Sequence, residues 1–569
     1  MTKLVFDPIT RIEGHLRVEV QVDGGKVTDA WVSGTMWRGI EKILKGRDPR
    51  ECWAITSRIC GVCTTVHSTS SVRAVEDALG IDIPDNARVI RNIITAAQFV
   101  QDHVIHFYHL HALDWVDVVS SLKADAAQTA SLAQSLSPWP NATAGYYKGV
   151  QDRIRTLVQS GQLGLFANGY WGHPAFKLPP EVNLMAVAHY LEALKWQRDV
   201  IAIHALLGAK NPHPQTFLVG GMATPIDPNS QNAINAHTLA TLKSLAEEAL
   251  EFVKHVYLPD LLAIASFYKN WASIGAGVGN YLSYGEFPRD SVHNSTNTWL
   301  PSGFIRFKNI GAIEPVDQKK VAEDVLRAWY SYTGGDGIPK HPYDGETTPN
   351  YTGPTPPYEF LETDRKYSWV KAISYDGVPA EVGPLARMLV AYANGHKRVR
   401  ELVGLVLAKL GVGVESLFST LGRTAARGIE TLAVAEMLPV WIDELVANIK
   451  GGDYRIHNGE KWEPNTWPAE ARGFGFHEAP RGALCHWIVI KDKKVANYQC
   501  VVPSGWNASP RDVADRRGPY EEALVGTPVE DAEKPLEILR TIHSFDPCMA
   551  CAVHLINKTG KELSVIGVR

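Results

Sequence analysis

Two Cys-x-x-Cys pairs lie near opposite ends of this chain, Cys60-Gly61-Val62-Cys63 and Cys548-Met549-Ala550-Cys551. Only seven cysteines occur in 569 residues, and chance alone gives roughly 0.1 such pair. If both pairs serve one site, segments 485 positions apart must meet in the middle of the fold. The chain is then one integrated body, although its length alone suggests about four domains.

Composition removes several classes. Hydrophobic residues make up 45% and charged residues 21%, as in ordinary globular chains. A formal net charge of −4 gives no basic surface for nucleic acid or anionic lipid. The best apolar stretch, Leu402 to Leu417, is broken by Lys409 and Glu415, so no membrane span is expected. The opening MTKLVFDPIT lacks a basic region followed by an apolar core, so no signal peptide is expected on this chain.

Leu16 to Val22 and Lys26 to Ser33 alternate around Asp23-Gly24-Gly25 and predict a hairpin. Helical periodicity follows from Ala87 to Leu122, with Asp85 or Asn86 as cap. It returns over Leu184–Leu207, Ala233–Tyr257, Pro384–Asn394, Val399–Leu410 and Glu415–Ile449. From Tyr268 to Trp369 the pattern weakens into loops rich in glycine and proline. Cys485–Lys491 and Val495–Val502 predict a second hairpin. The expected class is mainly α with small β hairpins, packed as a single unit.

The cysteine pairs themselves leave alternatives open. Haem attachment needs His directly after the second Cys, where Thr64 and Ala552 stand. A thioredoxin-like site explains one pair but not two. A four-thiolate metal site fits, with the metal open between zinc, iron and nickel.

The residues around the pairs narrow the choice. Arg11-Ile12-Glu13-Gly14-His15, Arg38-Gly39-Ile40-Glu41, Arg58 to His67, Glu478-Ala479-Pro480-Arg481-Gly482 and Asp546 to His554 resemble, in order, the catalytic large subunit of nickel–iron hydrogenases. Phe166 to Leu178 and Glu181 to Tyr190 resemble its respiratory, membrane-associated uptake branch. The related subunit of respiratory NADH dehydrogenase lacks the four cysteines that are present here.

The resemblance implies a single large-subunit fold whose terminal segments meet at the metals. Cys60, Cys63, Cys548 and Cys551 would hold nickel, and Cys63 and Cys551 would also bridge to iron carrying one carbon monoxide and two cyanides. Soft thiolates suit such metals. Splitting dihydrogen needs a Lewis-acidic centre and a nearby base. The terminal thiolates Cys60 and Cys548 are the candidate first bases, and Glu13 the proton relay. Arg481 would stand over the metals, paired with Asp102 and Asp546. Pro480 and Ser504 would line the pocket of the diatomic ligands, and His67 would donate to a bridging sulfur. Glu41, the backbone carbonyl of Cys500 and His554 would hold Mg2+. His103, His106, His109 and His111 are read as core and subunit contacts, and Cys52 and Cys485 as inert buried residues.

Further expectations concern processing and partners. Residues 1–554 would form the mature subunit, and 555–569 a propeptide cleaved between His554 and Leu555 by a maturation endopeptidase after nickel-insertion factors have acted. The chain has no cysteines to spare for iron–sulfur clusters, which are expected only in a small-subunit partner. The pair would form a heterodimer, or a dimer of heterodimers, coupled to a membrane electron-transfer subunit. Export with the small subunit would place it on the periplasmic side of the cytoplasmic membrane. The alternative to hydrogen oxidation is a non-catalytic hydrogen sensor or a metal-stapled structural subunit.

Overall fold

Three strands open the protein in a computed structural model that describes residues 2–552 apart from Asn168 and Pro356. They are β1 (Thr2–Phe6), β2 (Leu16–Asp23) and β3 (Lys26–Gly34), antiparallel in that order. The latter two are the expected hairpin, with Asp23 opposite Lys26. Leu16, Val18 and Val20 are fully buried, as are Ala30 and Val32 across from them.

Helices carry most of the remaining core. They include α1 (Val66–Leu79), α2 (Asp85–Ile105), α3 (Pro180–Val200), α4 (Pro384–Ala393) and α5 (Thr420–Lys450). α1, which starts three residues after Cys63, has no counterpart in the sequence reading. The long helix expected to run to Leu122 instead ends at Ile105. A π-helical turn, His106–His111, and a 3-10 turn, Ala112–Asp114, follow. The wider turn breaks the 3.6-residue period and lets His106 stack on His111. The helix expected from Glu415 begins instead at Thr420, where the Ser419 hydroxyl accepts the Gly422 N–H at 2.9 Å. α2 and α5 pack side by side, which sets His103 of the first near Arg427 and Glu430 of the second.

The second predicted hairpin is part of a three-stranded antiparallel sheet, β4 (Glu470–Ala479), β5 (Gly482–Lys491) and β6 (Lys494–Val501). α1 lies directly on β4. A Cβ at Gly473 would sit 2.2 Å from the Ala74 carbonyl, and one at Gly475 2.0 Å from that of Ser70. Two glycines two apart on one strand face thus let helix backbone touch strand backbone. That contact fixes the β4–β5 tip relative to the Cys60–Cys63 loop at the start of α1. The described chain closes with α6 (Leu536–Ser544) and α7 (Met549–Ala552).

The architecture is mainly α with small sheets, as predicted. No helix among the described residues is long and apolar enough to cross a membrane. The largest apolar core encloses Cys60, Cys63 and Cys548, so the two ends of the chain do meet inside it.

Candidate metal centre

The Sγ atom of Cys548 lies 3.4 Å from that of Cys60 and 3.7 Å from that of Cys63, with all three residues buried. The Cys63 N–H points back at the Cys60 sulfur at 3.3 Å, so the first loop is wound around its own thiol. Arg38 joins the two cysteine segments. Its guanidinium donates to the carbonyls of Arg58 and Ile59, before Cys60, and to that of Ala550 at 2.7 Å, before Cys551. Cys551 belongs to α7; its side chain, together with His554, Leu555 and the rest of 555–569, lies outside the described residues.

The Arg11–His15 segment is threaded against the last cysteine motif. The Glu13 N–H donates to the Pro547 carbonyl, and the Met549 N–H to the Glu13 carbonyl at 2.7 Å. Gly14, at φ +81°, permits this: a Cβ there would stand 2.5 Å from the Ala550 nitrogen. The Glu13 carboxylate accepts the Ala550 N–H at 2.8 Å and faces the Cys548 Sγ at 3.2 Å. Burial raises its pKa, with the Cys60 sulfur adding to the shift, while the contacts from Cys548 and Ala550 oppose it. A carboxyl moved toward a thiol's range can exchange a proton with it.

Arg481 occupies the tip between β4 and β5. One guanidinium nitrogen stands 3.1 Å from Asp102 and the other 3.0 Å from Asp546, all three groups buried. Burial pushes Asp102 up to about 7 against the pull of Arg481, so this carboxylate depends on its guanidinium to stay ionised. Asp546 takes a left-handed backbone, φ +59°, just before Pro547. The short polar side chain of Asp tolerates that conformation better than most.

A small cavity of about 10 Å³ is lined by Cys63, Val66, His67, Ala479, Arg481, Pro503, Ser504 and Cys548. Pro480, expected on this wall, is absent from it; the tip presents Ala479 and Arg481 instead, and the Pro480 carbonyl is held by Arg387. The Ser504 hydroxyl accepts the Cys548 N–H at 2.8 Å. Burial lowers His67 to about 3, so it is neutral; its Nδ1 is 3.1 Å from His486 Nε2. The cavity fits a metal with anionic ligands. Thiolates 3.4–3.7 Å apart repel unless they share a proton or a cation. The buried Nε of Arg481 also has no hydrogen-bond partner among the described residues.

A second cleft contains Glu41 and Cys500. The Cys500 N–H donates to Glu41 at 3.0 Å, and Thr347 donates to the other carboxylate oxygen. Glu323, Lys371 and Val502 also line it. Lys371 bridges Glu323 at 3.2 Å and the Gln499 amide oxygen at 2.8 Å. Glu323 and Lys371 escaped the sequence reading because they lie in or just beyond the stretch where periodicity fades, with no motif around them. A carboxylate beside an open cleft suits a hard cation.

The histidines near the end of α2 have protein partners. His103 meets Glu430 at 2.7 Å, His106 the His543 carbonyl at 2.6 Å, and His109 the Tyr190 carbonyl at 3.1 Å. His111, Asp114 and His543 converge in a metal-like triad. Asp114 is held by Arg11 at 2.5 Å and His543 at 2.6 Å, and His111 accepts the Trp115 N–H at 3.0 Å. The triad is a hydrogen-bonded core knot that ties Arg11 to α6. Cys52 and Cys485 are buried thiols whose pKa values burial raises, which keeps them inert.

A family profile described as nickel-dependent hydrogenase matches residues 38–554, and one described as HoxL-like matches residues 3–33. The chain is 52% identical to the uptake hydrogenase large subunit of Bradyrhizobium diazoefficiens, over 100% of this chain and 97% of that one. It is 48% identical to the hydrogenase-1 large chain of Escherichia coli, with the same coverage. Among solved structures, the Ni-Fe-Se hydrogenase of D. vulgaris Hildenborough superposes with a TM-score of 0.76 at 34% identity, covering 97% of this chain and 100% of that one.

Proposed function

Because the chain belongs to the nickel-dependent hydrogenase family, we propose that it is the catalytic large subunit of a hydrogen-uptake enzyme. Dihydrogen is split heterolytically and finally yields two protons and two electrons. The observation that carries this reading is the Cys548 sulfur, 3.4 Å from Cys60 and 3.2 Å from the Glu13 carboxylate.

Cys60, Cys63, Cys548 and Cys551 would hold nickel, and Cys63 and Cys551 would also hold the iron with its carbon monoxide and two cyanides. When bound, this pair supplies the Lewis acidity that polarises the H–H bond. The protein's own groups handle the proton. A terminal thiolate, Cys548 or Cys60, would accept it, because a thiolate held by one metal would be a stronger base than one shared by two. Glu13 takes the proton from Cys548 and passes it outward. Arg481, anchored by Asp102 and Asp546, presents a permanent cation to the anionic ligands. Ser504 orients the Cys548 backbone, and Pro480 shapes the tip that carries Arg481. Neutral His67 supports a bridging sulfur. Glu41, the Cys500 carbonyl and His554 would hold Mg2+, a hard cation that takes few protein ligands.

The electrons leave through a small subunit that contains iron–sulfur clusters and continue to a membrane subunit and a respiratory acceptor. The pair works on the periplasmic side of the membrane after joint export. Residues 555–569 are removed after nickel insertion, so that the Cys548–Cys551 segment settles only on a loaded site.

The test is hydrogen-dependent reduction of a viologen dye by the purified large–small pair. Wild type is expected to reduce the dye and to end at His554 by mass spectrometry, whereas Cys548→Ala should lose both nickel and activity. Full activity in Cys548→Ala, or an active enzyme that retains 555–569, would contradict the reading.

A further inference from the structure

We propose that Arg387 is the positioning residue that sets Arg481 over the metals, an inference that rests on the role given to Arg481 above. Arg481 sits in a two-residue hairpin loop, Pro480-Arg481, between Ala479 and its strand partner Gly482. Two-residue hairpins normally use primed turns, which need a positive φ at the first central residue. Proline fixes φ near −65° and excludes both primed types. Neither Pro480 nor Arg481 has a positive φ. The turn therefore does not match the twist of its strands, and its shape depends on what holds it from outside.

Arg387, on the first turn of α4, supplies that hold. A guanidinium has five N–H donors, and all five are used here. Nε donates to Glu430 at 2.6 Å. One terminal nitrogen donates to Glu478 at 2.7 Å and to the Ala479 carbonyl at 2.8 Å. The other donates to Glu430 at 2.7 Å and to the Pro480 carbonyl at 2.8 Å. Arg387 thus grips the two consecutive carbonyls immediately before Arg481.

The grip is tied to the same helix that anchors the Arg481 head. Glu430 also engages His103 on α2 at 2.7 Å, and the Arg387 guanidinium lies 4.8 Å from the centre of the Phe99 ring on that helix. Asp102, the neighbour of His103, holds the Arg481 guanidinium. The backbone and the head of Arg481 are therefore referenced to one buried frame. The Arg387 side chain is fully buried, and its grip on the site runs through the Ala479 and Pro480 carbonyls that lead into Arg481.

Lysine keeps the charge but has three donors on a point-like head, so it cannot span two carbonyls and two carboxylates at once. The experiment uses the mature large–small enzyme carrying Arg387→Lys, Arg481→Lys or both. The readouts are nickel and iron content, the infrared bands of the diatomic ligands on iron, and kcat for hydrogen oxidation. Arg387→Lys is expected to keep its metals, shift or broaden the cyanide bands, and lower kcat by about 10- to 100-fold, the scale of a positioning loss. In the Arg481→Lys background the same change should add little, because it acts through Arg481. If Arg387→Lys fails to assemble, Phe99→Leu replaces it in both backgrounds, since it takes away the ring that packs on the guanidinium, His103 and Phe287 and leaves all five donors of Arg387 in place.

Unmoved bands with wild-type kcat, or effects that add fully in the double variant, overturn the inference. Wild-type enzyme without such infrared bands would instead overturn the proposed function, so the two failures are distinguishable.

Discussion

Glu13 is the residue whose replacement best separates proton transfer from hydrogen splitting. Its carboxylate faces the Cys548 sulfur at 3.2 Å, and burial has moved its pKa upward. Glu13→Gln preserves shape and the Ala550 contact but cannot cycle a proton near neutral pH. Metals and infrared bands should stay as in wild type, while hydrogen uptake and hydrogen–deuteron exchange fall by about two orders of magnitude or more. Conversion between para- and ortho-hydrogen should persist, since recombination needs no proton escape. Normal deuteron exchange would remove Glu13 from the path. At this scale the sequence spoke through side chains: the four cysteines, Glu13 and Arg481 stand in short motifs, and the described ones lie together. It was silent on Arg38 and Arg387 as clamps, because the bonds by which they grip the cysteine loops and the Arg481 turn go to backbone carbonyls, which leave no mark on residue identity.

Among elements, the helices with one apolar stripe were legible and those buried all round were less so. Residues 86–104 of α2 are buried on every face, so its end at Ile105 is set by the following π turn rather than by a change of polarity. β4 was missed because Gly473 and Gly475 interrupt its alternation where α1 presses on it. The contact between α2, α4 and α5 is ionic at its centre, and this gives it a pH signature. Burial opposes ionisation of Glu430, yet the Arg387 guanidinium prevails and holds the carboxyl down at about 2. A depressed folded pKa means that the stabilisation is complete above the unfolded value, near 4.5, and is lost as pH falls from there toward about 2. Glu430→Gln should therefore destabilise the protein at pH 7 by about 3–5 kcal/mol, the cost of stranding a buried partner. Its thermal midpoint should also fall less steeply than that of wild type between about pH 4.5 and 2.5. Parallel acid limbs for the two proteins would show that this pair does not govern the contact.

For the whole molecule, the separation of the cysteine pairs meant that, if they serve one site, the chain's two ends meet in one core, and Cys60, Cys63 and Cys548 do meet there. The means of closure was not legible. Arg38 bridges the two cysteine loops, Arg11 joins the Asp114–His543 knot, and Gly14 lets two backbones touch, all over separations of roughly one hundred to more than five hundred residues. Such contacts follow from packing and have no local periodicity to betray them. They make the metal centre the point at which the fold is fastened, so the identity of the metal is the claim on which the rest depends. Quantifying metals in the purified mature protein tests it directly. Nickel and iron in the large subunit near one each per chain are expected, and zinc alone in their place would contradict the nickel–iron centre.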